Sequence, residues 1–260
     1  MPKFITVTNQ KGGVGKTALA VHIAAYSVKT GRRTLLVDMD SQRNSTFIVT
    51  GKPAFDDTVA DLWDPDARLT FADTRFGDLK ILPGDREIGM VQEQKLSDGV
   101  KAMQRLLDTD FDIVVIDTPP AAGVQQIASL YMGGLLVAPV EPDLVALQGV
   151  TSLLQVWRTV AKDIALDLAL LVNKRTLNST NQQIVVDTLR SSAFGKYVLP
   201  DQLTYRQMVP NALKNGMAVW DMDRRDPAAA TWALACKRII EKVAGENPQS
   251  RKEMEEIQHG

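Results

Sequence analysis

Near the start of the chain, Gln10-Lys11-Gly12-Gly13-Val14-Gly15-Lys16-Thr17 has the residue types and spacing that bind phosphate. Glycines let the backbone turn its N–H groups inward around an anion. Lys16 can reach the outer phosphates as a point charge, and the Thr17 hydroxyl can ligate magnesium. The standard pattern G-x-x-x-x-G-K-[ST] fails by one residue, because Gln10 stands where its first glycine belongs. Three carboxylates could join this chemistry: Asp38 and Asp40 in D-M-D-S-Q, and Asp117 in D-T-P-P. Asp117 could hold magnesium through water. The plainer roles are a helix N-cap for Asp117 and loop capping for Asp38 and Asp40.

The flanking elements must position these groups. Phe4–Thr8 reads as a buried strand and Ala18–Ala25 as a helix, so the loop lies between strand and helix, where its N–H groups gain the helix dipole. Thr34–Asp40 is a second strand, and 41–50 is loop or helix start. Residues 51–112 are irregular and acidic, with a short helix near 58–63, a strand near 79–83 and a helix ending around Leu107. Strands follow at 111–117, 135–140, 168–173 and 197–200, and helices at 124–132, 144–161, 181–191, 205–215 and 227–243. Continuous apolar strands alternating with helices imply an α/β fold, a mostly parallel sheet covered by helices on both faces. Ligands of such sheets sit at the carboxyl ends of the strands, where Lys16, Asp40, Asp117 and Asn173 all fall.

At 260 residues, one domain over 1–245 with a polar tail at 246–260 is the simplest division. Thirty basic against 31 acidic residues leave a net charge of −1, so global charge gives no steer toward nucleic acid. A single cysteine rules out an internal disulfide. No leader is evident and the apolar runs are too short to span a bilayer, so a soluble, cytoplasmic protein is expected.

The sequence K-G-G-V-G-K-T resembles the deviant phosphate loop of the ParA/MinD family of ATPases, and the resemblance runs from about Lys3 to Val243. It implies that Lys11 reaches the nucleotide held by the other subunit of a dimer, and that Gly12, Gly13, Val14, Gly15, Lys16, Thr17 and Ala18 line the phosphates. Within the family's D-x-D-x-Q pattern, Asp40 would orient the attacking water and Asp38 would support the shell of Mg2+, with Thr17 and Asp117 as further metal-side groups. The family has proline in place of Ser41, a small residue in place of Arg43, and commonly a second hydroxyl in place of Ala18. Asn173 matches an adenine-contacting asparagine, and Pro200 and Asp201, after the short strand, match a second adenine-side segment. Asn173-Lys174-Arg175-Thr176 is not a guanine motif, because Thr176 lacks the pairing carboxylate, so ATP is expected over GTP.

Between Arg190 and Lys242, nine basic residues (Arg190, Lys196, Arg206, Lys214, Arg224, Arg225, Lys237, Arg238, Lys242) face five acids (Asp201, Asp221, Asp223, Asp226, Glu241). A basic face suits sequence-independent contact with DNA phosphates; a solvated helical face would carry the same charges. The resemblance implies nonspecific double-stranded DNA binding here, through Arg206, Lys214, Arg224 and Arg225. It also implies a partitioning ATPase that forms a homodimer on ATP, is stimulated by a ParB-like adaptor, and segregates a plasmid, chromosome or protein cargo over the nucleoid. The alternative is a MinD-like positional regulator, but Arg251–Ile257 has too little apolar face to hold a membrane. A cluster-bearing redox relative would need two cysteines, and only Cys236 exists. A structural ATP site is separated from these by a phosphate-release assay. With the loop starting at Lys11, no N-terminal operator-binding domain is expected.

Overall fold

A computed structural model describes residues 1–89, 95–120, 123–143 and 145–245. The expected tail at 246–260, and Leu144 at the start of one expected helix, lie outside the described residues. The first half of the chain runs β1 (Lys3–Val7), α1 (Lys16–Lys29), β2 (Thr34–Asp38), α2 (Asn44–Thr50), β3 (Ala72–Asp73), β4 (Lys80–Leu82), α3 (Leu96–Gln104) and β5 (Ile113–Asp117). The second half runs α4 (Val124–Leu130), β6 (Gly134–Val140), α5 (Ala146–Val160), β7 (Leu166–Arg175), α6 (Thr180–Ser191), β8 (Val198–Thr204), α7 (Met208–Lys214), α8 (Val219–Met222) and α9 (Pro227–Ala244).

The eight strands form one sheet in the order β3-β4-β2-β5-β1-β6-β7-β8, parallel throughout except for the β3–β4 pair. Single-residue alternation sends each strand into two cores. From β1 and β5, Ile5, Val7, Ile113 and Val115 meet α1 and α9, while Phe4, Val114 and Ile116 meet α3 and α4. Leu136, Ala138, Leu168 and Leu170 of β6 and β7 pack under α5 and Leu189 of α6. The α/β reading of the sequence is therefore the observed architecture.

The first core closes around Trp220, 1% exposed, whose ring meets Tyr26 and His22 edge-on. Burying a side chain of this size contributes about 2–3 kcal/mol. His22 is buried within this packing. Its Nδ1 lies 2.7 Å from the Ala18 carbonyl oxygen and its Nε2 accepts the Val219 N–H at 3.1 Å. This pairing fixes a neutral tautomer. Burial pushes the His22 pKa down to about 4.

Several boundaries differ from the sequence reading. The helix near 58–63 is a 3-10 turn, Val59–Trp63, opened by a capping box of Thr58 and Asp61. The short edge strand β3 and the single-turn α8 were not expected; both are too brief for a periodic signal. β7 and β8 are longer than expected, and β8 requires a correction. Pro200 and Asp201 lie inside this strand, not after it. A Pro-Asp pair carries turn chemistry in sequence. β8, however, is an edge strand, where a residue without an N–H is tolerated. The inward Asp201 carboxylate accepts a hydrogen bond from Arg238 Nε of α9 at 2.8 Å.

Candidate nucleotide-binding site

The phosphate loop leaves the central strand β1 and enters α1. Gly13 and Gly15 have φ of 75° and 92°, the left-handed region that glycine adopts without strain. A Cβ at Gly12 or Gly13 would meet nothing within 4 Å, so the loop faces an open cradle. At Gly15 a Cβ would fall 2.5 Å from Asn173 Nδ2, so that glycine also permits a close approach between loop and β7. Asn173 donates from that amide to the Val14 carbonyl at 2.8 Å. Asn9 fixes the loop's other end, donating to the Pro139 carbonyl at 2.8 Å and accepting the Lys11 N–H at 2.9 Å.

Both loop lysines have partners within the chain. Lys16 is buried and donates from Nζ to the Lys11 carbonyl at 3.2 Å. Burial lowers its pKa, and the Asp117 and Asp40 carboxylates pull it back up. Lys11 Nζ pairs with Asp143, in the loop after β6. Lys174 Nζ donates to the Gly13 carbonyl.

Register brings the carboxylates to the loop. Asp117 of β5 lies beside Val7 of β1 on one side and Asp38 of β2 on the other. Asp117 is buried, and its Oδ2 accepts from Ser45 Oγ at 2.5 Å. Burial, then the Asp38 carboxylate, raises its pKa to about 7 against the hydroxyls of Ser45 and Thr17. Its Oδ1 is buried with no hydrogen-bond partner. An orphaned carboxylate oxygen beside the Thr17 hydroxyl and a second acid is what a divalent cation would satisfy. Among the described residues no group of three or more His, Cys, Asp or Glu could hold a metal unaided. Magnesium keeps several waters and binds through one or two protein groups plus phosphate, a demand that Asp117 and Thr17 fit.

Asp38 spends its oxygens within the protein. Oδ2 accepts from Thr46 N and Oγ1 at 2.8 and 2.7 Å, and Oδ1 accepts from Asp40 N at 3.2 Å. Burial raises its pKa to about 6. It therefore faces Asp117 while anchoring the start of α2. Asp40 is buried just beyond β2, with Oδ1 on the Gln42 N–H at 3.0 Å. Ser45, which donates to Asp117, and Thr46, which donates to Asp38, were missed in the sequence; a Ser-Thr pair opening a helix after an acid-ended strand is the available signal.

Beside the loop lies a cavity of about 270 Å3, walled by Gly15, Ala18, Asn173, Tyr205, Pro210 and Trp232. Trp232 is 3% exposed and its Nε1 has no hydrogen-bond partner. Pro200 and Asp201 do not line this cavity; the segment that does begins at Thr204. Arg206, expected on the DNA side, also lines it and sits 3.8 Å from Asp226. Lys214, Arg224 and Arg225 are exposed on α7 and on the turn between α8 and α9.

Comparison with known proteins gives matches along most of the chain. The AAA domain family model (AAA_31) matches residues 2–170. The sporulation initiation inhibitor protein Soj of Bacillus subtilis is 33% identical over 176 residues, 65% of this chain and 70% of that protein. The chromosome-partitioning ATPase Soj of Treponema pallidum is 25% identical over 249 residues, covering 92% of this chain and 98% of the relative. Among solved structures, a McdA–ATP complex from Cyanothece superposes with a TM-score of 0.80 at 18% identity, over 92% of this chain and 96% of that one.

Proposed function

The chain belongs to the ParA/MinD-type P-loop ATPases, and we propose that within them it is a DNA-partitioning ATPase whose ATP-bound homodimer holds nonspecific duplex DNA until hydrolysis releases it. The observation that carries the ATPase reading is the convergence of Lys16, Thr17, Asp40 and the unpartnered Asp117 oxygen at one open glycine loop.

Loop N–H groups and Lys16 would bind the β- and γ-phosphates, and the base would enter the cavity walled by Ala18 and Trp232. Thr17 and Asp117 would hold Mg2+, which would neutralise phosphate charge during transfer. Asp40 would orient water for attack; Lys16, already desolvated, would stabilise the charge on the transferring group. Lys11 would exchange its Asp143 partner for a phosphate across the dimer. Hydrolysis needs no covalent protein intermediate.

The excess of basic side chains from Arg190 to Lys242 supports the DNA part of the reading, with Lys214, Arg224 and Arg225 on the accessible surface. A dimer doubles these contacts on one surface, which would link DNA holding to the nucleotide state. A ParB-like adaptor would trigger the reset, and the cargo would ride over the nucleoid. No described helix is long and apolar enough to cross a membrane. The deciding experiment follows phosphate release, light scattering and DNA retention together, with ATP, GTP and no nucleotide. The reading requires dimerisation and DNA retention with ATP alone. Equal response to GTP, or DNA retention indifferent to nucleotide, would sink it.

A further inference from the structure

We propose that Arg43 is a positioning residue for Asp40, tying the turn that carries this carboxylate to the segment after α2; the inference rests on the hydrolytic role proposed above for Asp40. Arg43 closes that turn. Its N–H donates to the Asp40 carbonyl at 2.8 Å, and its own carbonyl accepts the Phe47 N–H at 3.0 Å to start α2. To do so it adopts φ 57° and ψ 33°, a left-handed conformation that disfavours an arginine. The side chain adds a second cost: Nε is buried with no hydrogen-bond partner. A strained backbone and an unmet buried N–H at one residue call for a compensating role.

The compensation lies in where the guanidinium ends. Nη1 donates to the Pro53 carbonyl at 2.5 Å, in the segment that follows α2. The stem passes over Gly84, where an added Cβ would sit 3.1 Å from Arg43 Cγ and 3.0 Å from Asp38 Cγ. The side chain thus lies against the acid floor of the site. Two other bonds fix the turn from below, Asp40 N to Asp38 Oδ1 and Gln42 N to Asp40 Oδ1. Both engage groups of the turn with acids of the site itself. The Pro53 bond is the tie to a segment outside it. A water-orienting carboxylate must hold its aim, and a shift of about 1 Å can cost orders of magnitude in rate.

Glycine at this position separates the two effects. It relaxes the left-handed backbone and removes the tie, so stability and turnover should move in opposite directions. The test compares Arg43→Gly, Arg43→Lys and Asp40→Ala in the full chain by thermal melting, fluorescent-ATP affinity and single-turnover phosphate release. Expected for Arg43→Gly are a melting temperature at or above wild type, ATP affinity within about twofold, and hydrolysis slowed roughly tenfold. Arg43→Lys, which can still donate to Pro53, should recover part of the rate. Wild-type hydrolysis by Arg43→Gly would overturn the proposal, as would a joint loss of melting temperature, affinity and rate. Asp40→Ala keeps the failures apart. If it is inactive while Arg43→Gly is normal, only the tie is wrong; if it hydrolyses normally, the role of Asp40 falls and this proposal with it.

Discussion

The two flanks of the glycine loop are built differently. On one side β1, β5 and β2 run parallel in unbroken register, and the carboxyl ends of β5 and β2 place Asp117 and Asp38 side by side, next to the loop that carries Lys16 into α1. On the other side β7 and β8 pair with two register shifts, between Leu170 and Val172 and between Val172 and Arg175. The acid side is buried and gains its precision from strand spacing. The proposed base side ends on an edge strand and is completed by α7 and α9, with the basic turn at Arg224 and Arg225 exposed beyond it. Groups proposed to handle phosphate sit beside buried, regularly paired strands; groups proposed to meet DNA sit on the exposed surface.

The sharpest test of that contrast is Lys16→Ala. Removing a buried charged donor from the rigid side should weaken ATP binding by more than about a hundredfold, read by fluorescent-nucleotide titration. Near-normal affinity would mean that the loop's N–H groups suffice. On the adaptable side, replacing Arg224 and Arg225 together with Glu should weaken DNA binding roughly tenfold or more, equally on unrelated duplexes, while ATP-driven dimerisation persists. Gel shifts across salt concentrations should also show a shallower slope, by about 0.9 for each phosphate that is no longer neutralised. Full binding by the double variant would place the DNA surface elsewhere.

A third test probes the joint between the flanks, where His22 of α1 accepts the Val219 N–H and touches Trp232. Folding keeps the imidazole neutral with a pKa of about 4, whereas the unfolded chain takes up that proton near pH ~6.5. The stabilisation is complete above that value and is lost as pH falls toward 4, at up to about 1.4 kcal/mol per pH unit. Asp38 and Asp117 are raised by burial and act in the opposite sense, gaining stability as pH falls. Urea melts of wild type against His22→Gln therefore isolate the histidine, and parallel pH profiles would remove it from the account. The smallest effect is expected at Pro200→Ala. Its ring is exposed inside β8 and away from the cavity, so ATP affinity should change by less than about twofold. A larger loss in nucleotide titration would return Pro200 to the base site and blur the distinction between the flanks.

The loop and the acids were legible because their signals are local. A β-branched run, glycines and a lysine-threonine pair before a helix leave few other geometries. An apolar strand ending in Asp117 or Asp38 places that acid at a carboxyl edge, whatever lies around it. The base side was not legible to the same degree. Asp201 was placed after its strand, on the adenine side, because nothing near it in sequence reveals Arg238, 37 positions away, which balances its charge inside the strand. Arg206 was expected among the DNA contacts, whereas the fold turns it toward the cavity and Asp226. Arg43 stood out in sequence only as larger than its family counterpart. Its left-handed backbone and its reach to Pro53 belong to the folded chain. The sequence by itself determined which groups can touch phosphate, because backbone propensity and side-chain chemistry act over a few residues. Only the tertiary structure decided which charges balance one another and which face a cavity, because those depend on strand order and on distances between residues far apart in the chain.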